Sequence, residues 1–278
     1  MMKRVIDRET IKSAIASNMS FTNVPSVAVP IIKMFNNPNT SFQDLSKVIE
    51  TDPELSARVL RISNSGYYGF REKIKTVSHA VTLLGWNTIK MISLGSTILT
   101  MMKKKNKRLH EHSNRAANIA RFLALESHFY KIEEITVVGL LHDIGSIILE
   151  TCFPDEYYKA KQYAVDHKVP FHIAEKKILG FDHGVIGGWT LEDWDMPKNI
   201  ATSVMWHHNY KDKKYHSRKT AVIHVADVLS IALDFNGPGW EKVPEVSQAA
   251  IDTLGYSETK FRDIIYTLMD MKFDPLIT

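Results

Sequence analysis

Helical periodicity of the apolar residues is the feature that most restricts how this chain can fold. One helix start reads Asp52-Pro53, where the aspartate can cap the helix and the proline can occupy its first position. Leu55, Val59 and Ile62 then follow at i, i+4 and i+7 spacing, which places them on one helical face. The pattern predicts an amphipathic helix rather than a strand.

The same period recurs along most of the chain. A similar helix start occurs at Asp182, and longer helical patterns span about 107–128, 132–150, 155–168, 197–208, 218–235 and 257–271. No stretch of strict apolar–polar alternation bounded by hairpin turn residues competes with these patterns. The sequence therefore predicts an all-α protein.

A basic run at 103–108 separates two sets of helical patterns and is typical of a solvated linker or helix end. We place a subdomain boundary at this run. A chain of 278 residues can form one large domain or two small ones. The boundary predicts an N-terminal helical subdomain over residues 1–105 and a second helical subdomain over residues 106–278, which includes a C-terminal helical extension.

Composition narrows the class of protein. A net charge of +4 is too slight to indicate nucleic-acid binding, and the tryptophans lack the interleaved basic residues of a base-stacking surface. The single cysteine, Cys152, excludes an internal disulfide framework and a cysteine-rich zinc module. No run approaches ~18 uninterrupted apolar residues, and the start is too charged for a secretory signal. We expect a cytoplasmic protein that binds neither membranes nor nucleic acid.

Histidine and aspartate residues recur on successive helical segments. His142 and Asp143 stand side by side in an apolar segment, where an ionised carboxylate is costly unless a partner or a metal ion compensates it. Further members of this set are His112, His183, His207, His208 and Asp227. Any one of them alone could be an ordinary hydrogen-bonded residue. Mixed imidazole and carboxylate ligands suit manganese, iron or zinc, and a carboxylate can bridge two ions.

Several short motifs accompany this ordered set. They are Asp52-Pro53-Glu54-Leu55, the segments 58–65 and 80–85, Tyr68-Gly69, the segments 139–145, 182–187 and 194–197, and the doublet His207-His208. The order of histidines and aspartates is similar to that of the HD superfamily of metal-dependent phosphohydrolases. Together the motifs resemble the HDOD domain, the HD-related output domain of bacterial signalling proteins, over about 24–227.

The resemblance implies one or two divalent ions, of iron, manganese or zinc, in the second subdomain. Asp143 would bridge two ion positions. One position would be completed by His112, His142 and Asp227, and the other by His183, His207 and His208. In hydrolytic members of the superfamily, water activated between the ions attacks a phosphoester.

Departures from the cyclic-dinucleotide branch bear on the activity. Ser146 stands where that branch has a lysine, and residues 209–214 stand where it has a Gly-Tyr-Pro segment. Arg115 lies three residues after His112, on the same helical face, and can contact a phosphate or form a surface salt bridge.

Two functions therefore stay open. One is a regulatory module of signal transduction that retains an HD-type metal site and responds to a signalling protein partner or a nucleotide ligand. The other is a metal-dependent phosphohydrolase acting on a nucleotide or cyclic dinucleotide. We favour the regulatory module, and we do not expect hydrolysis of cyclic di-GMP.

Overall fold

The computed structural model describes residues 6–17, 28–34, 37, 40–64, 68, 70–86, 88–93, 95–96, 106–194, 196–210, 217–234 and 242–271. All regular elements within these ranges are helical, which confirms the all-α prediction. The N-terminal helices are α1 (Arg8–Ser17), α2 (Ala28–Lys33), α3 (Phe42–Glu50), α4 (Pro53–Ser63) and α5 (Val77–Leu84). The later helices are α6 (Lys107–Glu126), α7 (Ile132–Leu141), α8 (Ile144–Cys152), α9 (Pro154–His167), α10 (Phe171–Leu179), α11 (His183–Asp193), α12 (Lys198–Met205), α13 (Arg218–Ala232), α14 (Gln248–Leu254) and α15 (Glu258–Asp270).

Capping side chains fix where two of these helices begin. The carboxylate of Asp52 accepts hydrogen bonds from the backbone N–H groups of Glu54 and Leu55, each at 3.0 Å, and Pro53 is the first residue of α4. The carboxylate of Asp182 accepts from the N–H of Val185 at 3.0 Å and starts α11. Both helix starts are confirmed, because each aspartate satisfies N–H groups that have no partner inside the helix.

Some predicted helices are interrupted, or end before their apolar patterns do. The pattern over 132–150 is interrupted at His142 and Asp143, which form the turn between α7 and α8. The pattern over 197–208 ends as a helix at Met205. Consecutive residues of a continuous helix point about 100° apart. In the turn, the side chains of His142 and Asp143 both face one centre, with Nε2 of His142 3.3 Å from Oδ1 of Asp143.

Helix packing brings distant parts of the chain around one core. Helix α6 lies against α7 and α13, while α11 lies against α8 and α12. Helix α1 contacts α8 and α11, and Arg8 forms ion pairs with Glu192 at 2.9 Å and with Asp193 at 2.8 Å.

Residues 101–105, at the predicted subdomain boundary, lie outside the described residues, and so do Ser65, Gly69, Asp195 and 211–214. The boundary stays a prediction.

One segment has the length and hydropathy of a membrane span. Ile132–Cys152 contains 21 residues, and its most apolar window has a mean hydropathy of 1.5. Within the protein, 78% of that window is buried. The segment comprises α7, the turn at His142 and Asp143, and α8, and its apolar side chains form part of the core.

Candidate metal centre

The predicted ligand residues come together at one place in the fold. His112 is on α6, and His142 and Asp143 occupy the turn between α7 and α8. The remaining members lie at the start of α11, in the turn after α12 and on α13: His183, His207, His208 and Asp227. Their ligand atoms form two groups, and within each group these atoms lie within 4.8 Å of one another.

The first group consists of His112, His142 and Asp227. The Nε2 atoms of His112 and His142 are 3.0 Å apart. Oδ1 of Asp227 lies 3.3 Å from Nε2 of His112 and 3.5 Å from Nε2 of His142. Two imidazoles and one carboxylate thus face a common point.

The second group consists of Asp143, His183, His207 and His208. Oδ1 of Asp143 lies 2.9 Å from Nε2 of His183 and 3.8 Å from Nε2 of His207. The Nε2 atoms of His183 and His208 are 2.7 Å apart. Three imidazoles therefore surround one carboxylate.

Asp143 reaches both groups. Its other oxygen, Oδ2, lies 3.2 Å from Nε2 of His112 in the first group. His142, also of that group, is 3.3 Å from Oδ1. The carboxylate is therefore placed where a bridging ligand between two ions would stand.

Hydrogen bonds on the outer nitrogens orient the imidazoles. Nδ1–H of His142 donates to the carbonyl of Gly139 at 2.7 Å, and Nδ1–H of His207 donates to the carbonyl of Val204 at 2.6 Å. Because a carbonyl oxygen only accepts, each Nδ1 carries a proton, and Nε2 is the nitrogen that faces the centre. Metal-binding histidines are fixed in this way by an outer partner.

His112 and His183 have different outer partners. The hydroxyl of Ser230 donates to the carbonyl of Asp227 at 2.9 Å, so its oxygen accepts from Nδ1–H of His112, also at 2.9 Å. Nδ1–H of His183 donates to the carboxylate of Glu175 at 2.6 Å. Both rings consequently direct Nε2 toward the cluster.

The side chains of the cluster shift one another's pKa values. Burial opposes ionisation of Asp143, yet His142 and His183 outweigh burial and lower the pKa of that carboxyl well below its usual value. The pKa of Asp227 is also lowered, because hydrogen bonds from His112 and His142 outweigh burial. Both aspartates are therefore ionised at neutral pH.

Two of the histidines are cationic in the absence of metal. Burial disfavours the charged form of His112, but Asp143 and Asp227 overcome it and raise its pKa to about 10. The pKa of His183 is likewise raised well above its usual value, because Glu175 and Asp143 outweigh burial. The buried carboxylates thus require compensating positive charge, which protons supply when no metal ion does.

His207 and His208 remain neutral. Burial and repulsion from His142 lower the pKa of His207 to about 3. Burial and repulsion from the cationic His183 lower the pKa of His208 well below its usual value. A neutral imidazole is the form that binds a metal ion.

Buried ligand atoms without partners provide a test of whether a metal fits. Oδ2 of Asp227 and Nε2 of His207 are buried and have no hydrogen-bond partner within the described part of the chain. Buried polar atoms seldom stay unsatisfied. Divalent ions bound by these atoms would satisfy both, so the residues fit such ions. A bound ion would supply Lewis-acid chemistry toward a phosphate group and would acidify water.

The predicted phosphate contact, Arg115, has protein partners. Its Nη1 donates to the carbonyl of Ser230 at 2.9 Å and lies 3.0 Å from Oδ2 of Asp234. The guanidinium therefore braces the C-terminal end of α13, next to the hydroxyl that orients His112. A phosphate contact stays a prediction and would require exchange of the Asp234 ion pair.

Sequence reasoning missed the outer partners Glu175 and Ser230. One weak signal was present for Glu175, because Phe171, Glu175 and Leu179 repeat at i, i+4 and i+8 and place a charge in the apolar stripe of α10. Ser230 gave no signal, since a serine on a buried helix has many possible roles. Contacts across 8 and 118 residues connect these side chains to His183 and His112.

The helical fold and its two groups of histidine and aspartate side chains are those of an HD-type domain. The two groups contain the kinds of ligand that form a metal centre. A family model for the HDOD domain matches residues 21–210. The chain belongs to the HDOD domain family. Asp227 lies beyond the matched residues, on a helix that packs against α6.

Solved structures share the fold. An HDOD domain protein of unknown function from Geobacter sulfurreducens is 21% identical, with 94% of each chain covered and a TM-score of 0.65. A proposed phosphohydrolase from Shewanella amazonensis is 20% identical, with 96% of this chain and 95% of that chain covered and a TM-score of 0.70. A proposed signal transduction protein from Marinobacter aquaeolei is 20% identical over 99% of this chain and 66% of that chain, with a TM-score of 0.69.

One curated relative matches over most of this chain. An uncharacterized protein of Treponema pallidum is 22% identical over an alignment of 218 residues, which covers 75% of this chain. The match spans 42% of the length of that relative.

Proposed function

We propose that this chain is an HDOD regulatory module of bacterial signal transduction that holds one or two divalent ions of iron, manganese or zinc. The convergence of the two ligand groups on Asp143 carries the proposal. The module acts in the cytoplasm and transmits its state to a signalling protein partner or a nucleotide ligand, without binding nucleic acid or membranes. The residues that would hold the ions come from five segments of the helical domain, so bound ions would tie these segments together.

Features around the centre support binding over turnover. Arg115 is engaged by Asp234, and Lys176 is 2.9 Å from Asp182, the capping residue of α11. Ser146 is buried and offers a hydroxyl where a hydrolytic relative would offer a cation. A phosphoester needs cations that orient its charged oxygens, and positioning contributes several kcal/mol to catalysis of this kind.

A metal-dependent phosphohydrolase is the second candidate. The complete set of predicted ligands favours it, because a two-ion centre with a bridging carboxylate is suited to phosphoester hydrolysis. The substrate would be a nucleotide or cyclic dinucleotide.

A turnover assay separates the two candidates. Protein loaded with manganese or iron is incubated with cyclic di-GMP and with a panel of nucleotide phosphoesters, and the variant Asp143→Ala serves as the blank. We expect bound metal with negligible hydrolysis of cyclic di-GMP. Multiple-turnover product formation that disappears in the blank would refute the regulatory module for that substrate and establish the phosphohydrolase.

A further inference from the structure

The outer partner of His183 differs in charge from those of the other oriented imidazoles. His142 and His207 donate to backbone carbonyls, and His112 donates to a hydroxyl. His183 donates to a carboxylate, that of Glu175. The two ligand groups therefore differ in the charge around them as well as in their residues, because among the described residues only the second group contains an imidazole whose outer nitrogen, Nδ1, is bonded to an anion.

Glu175 contacts His183 at two points. Its Oε2 accepts from Nδ1–H of His183 at 2.6 Å and from the backbone N–H of the same residue at 3.0 Å. His183 is the first residue of α11, so one carboxylate oxygen fixes both the helix start and the ring. The ring then presents Nε2 to Oδ1 of Asp143 at 2.9 Å.

Packing alone does not account for a carboxylate at this position. Glu175 is completely buried, and its second oxygen, Oε1, has no hydrogen-bond partner within the described residues. Burial of an ionised carboxylate is costly, and a neutral glutamine of the same shape could accept both hydrogen bonds. A carboxylate at this position therefore has a role beyond filling space.

We propose that Glu175 is a positioning residue that acts through His183 and sets the metal affinity of the second ligand group. A negative outer partner increases the basicity of a coordinating imidazole and strengthens its bond to a metal ion. Glu175 therefore strengthens metal binding at the ion position formed by His183, His207 and His208. The inference rests on the proposed function, since it requires that the cluster bind metal.

The test compares Glu175→Gln with wild type in titrations with Co²⁺ and Mn²⁺. Bound Co²⁺ reports its ligand field by visible absorption, and equilibrium dialysis counts the Mn²⁺ ions. The substitution keeps size and a hydrogen-bond acceptor while removing the charge. We expect affinity at one ion position to fall roughly 10–100-fold with a changed cobalt spectrum, while the other position is unaffected.

A matched control and a double variant test whether the effect passes through His183. Glu150→Gln changes a glutamate on α8 that bonds to Asn106, and it should titrate like wild type. In a His183→Ala background, Glu175→Gln should cause no further loss of affinity, because its route to the ion is already removed. The Tm of the metal-free variants checks that each one folds.

Three results would overturn the inference. Glu175→Gln could titrate like wild type, it could weaken both ion positions equally, or its effect could add fully to that of His183→Ala. Absence of metal binding by folded wild-type protein would instead contradict the proposed function itself, and the inference would fall with it.

Discussion

Protons and metal ions compete for the same nitrogen atoms of the cluster, because the buried carboxylates demand positive charge from one source or the other. The pKa of His112 is raised to about 10, and that of His183 is raised well above its usual value. At neutral pH both rings therefore carry a second proton when no metal is bound. A metal ion must displace these protons before Nε2 can act as a ligand.

Metal binding should consequently release protons and strengthen as the pH rises. Between pH 6 and 8, below the pKa of His112, affinity should increase by about tenfold per pH unit for each proton released. Titration calorimetry in buffers of different ionisation enthalpy measures the number released. A metal affinity independent of pH, with no proton release, would show that His112 and His183 are not ligands.

Sequence patterns predicted the residues whose side chains form the cluster, but not the residues that orient those side chains. The order of histidines and aspartates, together with the resemblance to a known family, predicted His112, Asp143 and the rest of the ligand set. Glu175 was not predicted because its contact with His183 depends on the angle between α10 and α11. Local periodicity contains no information about that angle, although it did mark Glu175 as a charge in an apolar stripe.

At the scale of helices, Gly145 determines how closely α8 approaches α11. A Cβ atom on Gly145 would lie 2.0 Å from the backbone oxygen of His183 and 2.8 Å from the backbone nitrogen of Gly187. Backbone atoms of a packed helix cannot move aside as the end of a side chain can. The glycine therefore allows Asp143, two residues earlier, to lie within reach of His183.

Gly145→Ala should separate these helices and damage the metal centre. We expect the free energy of unfolding to fall by about 1–3 kcal/mol, as it does in overpacked cores. We also expect metal binding to weaken. Urea denaturation of the chelated protein and metal titration measure the two effects.

Gly95→Ala is the matched control, since its added Cβ would meet side-chain atoms of Leu140 and Val137 at 3.1 and 3.3 Å. Those side chains can adjust, so the loss should be smaller. Equal stability and metal affinity of Gly145→Ala and wild type would contradict the close contact.

Helix caps were predictable whereas helix interruptions were not. Asp52 and Asp182 cap helices as their sequence context indicates, because capping depends on neighbours two or three residues away. The interruption at His142 and Asp143 lies inside a continuous apolar pattern, and periodicity predicts one helix there. The turn lies beside ligand residues from other segments of the chain, and local periodicity contains no record of those neighbours.

At the scale of the whole molecule, the cluster joins elements that are far apart in sequence. Helices α6, α11 and α13 and two turns contribute ligands over 112–227. The family match ends at residue 210, yet Asp227 and Ser230 on α13 complete the first ligand group and orient His112. The helical extension is therefore part of the proposed site, and α1 is tied to the same region through Arg8 and the end of α11.

Metal content is the measurement that tests the central claim most directly. Protein purified without a histidine tag is equilibrated with Fe²⁺, Mn²⁺ or Zn²⁺, separated from free metal and analysed by mass spectrometry for ions per chain. We predict one or two ions in wild type and in His79→Ala, an exposed histidine on α5, and a large loss in Asp143→Ala. Folded wild-type protein with no more metal than background, or Asp143→Ala with an unchanged metal content, would contradict the account.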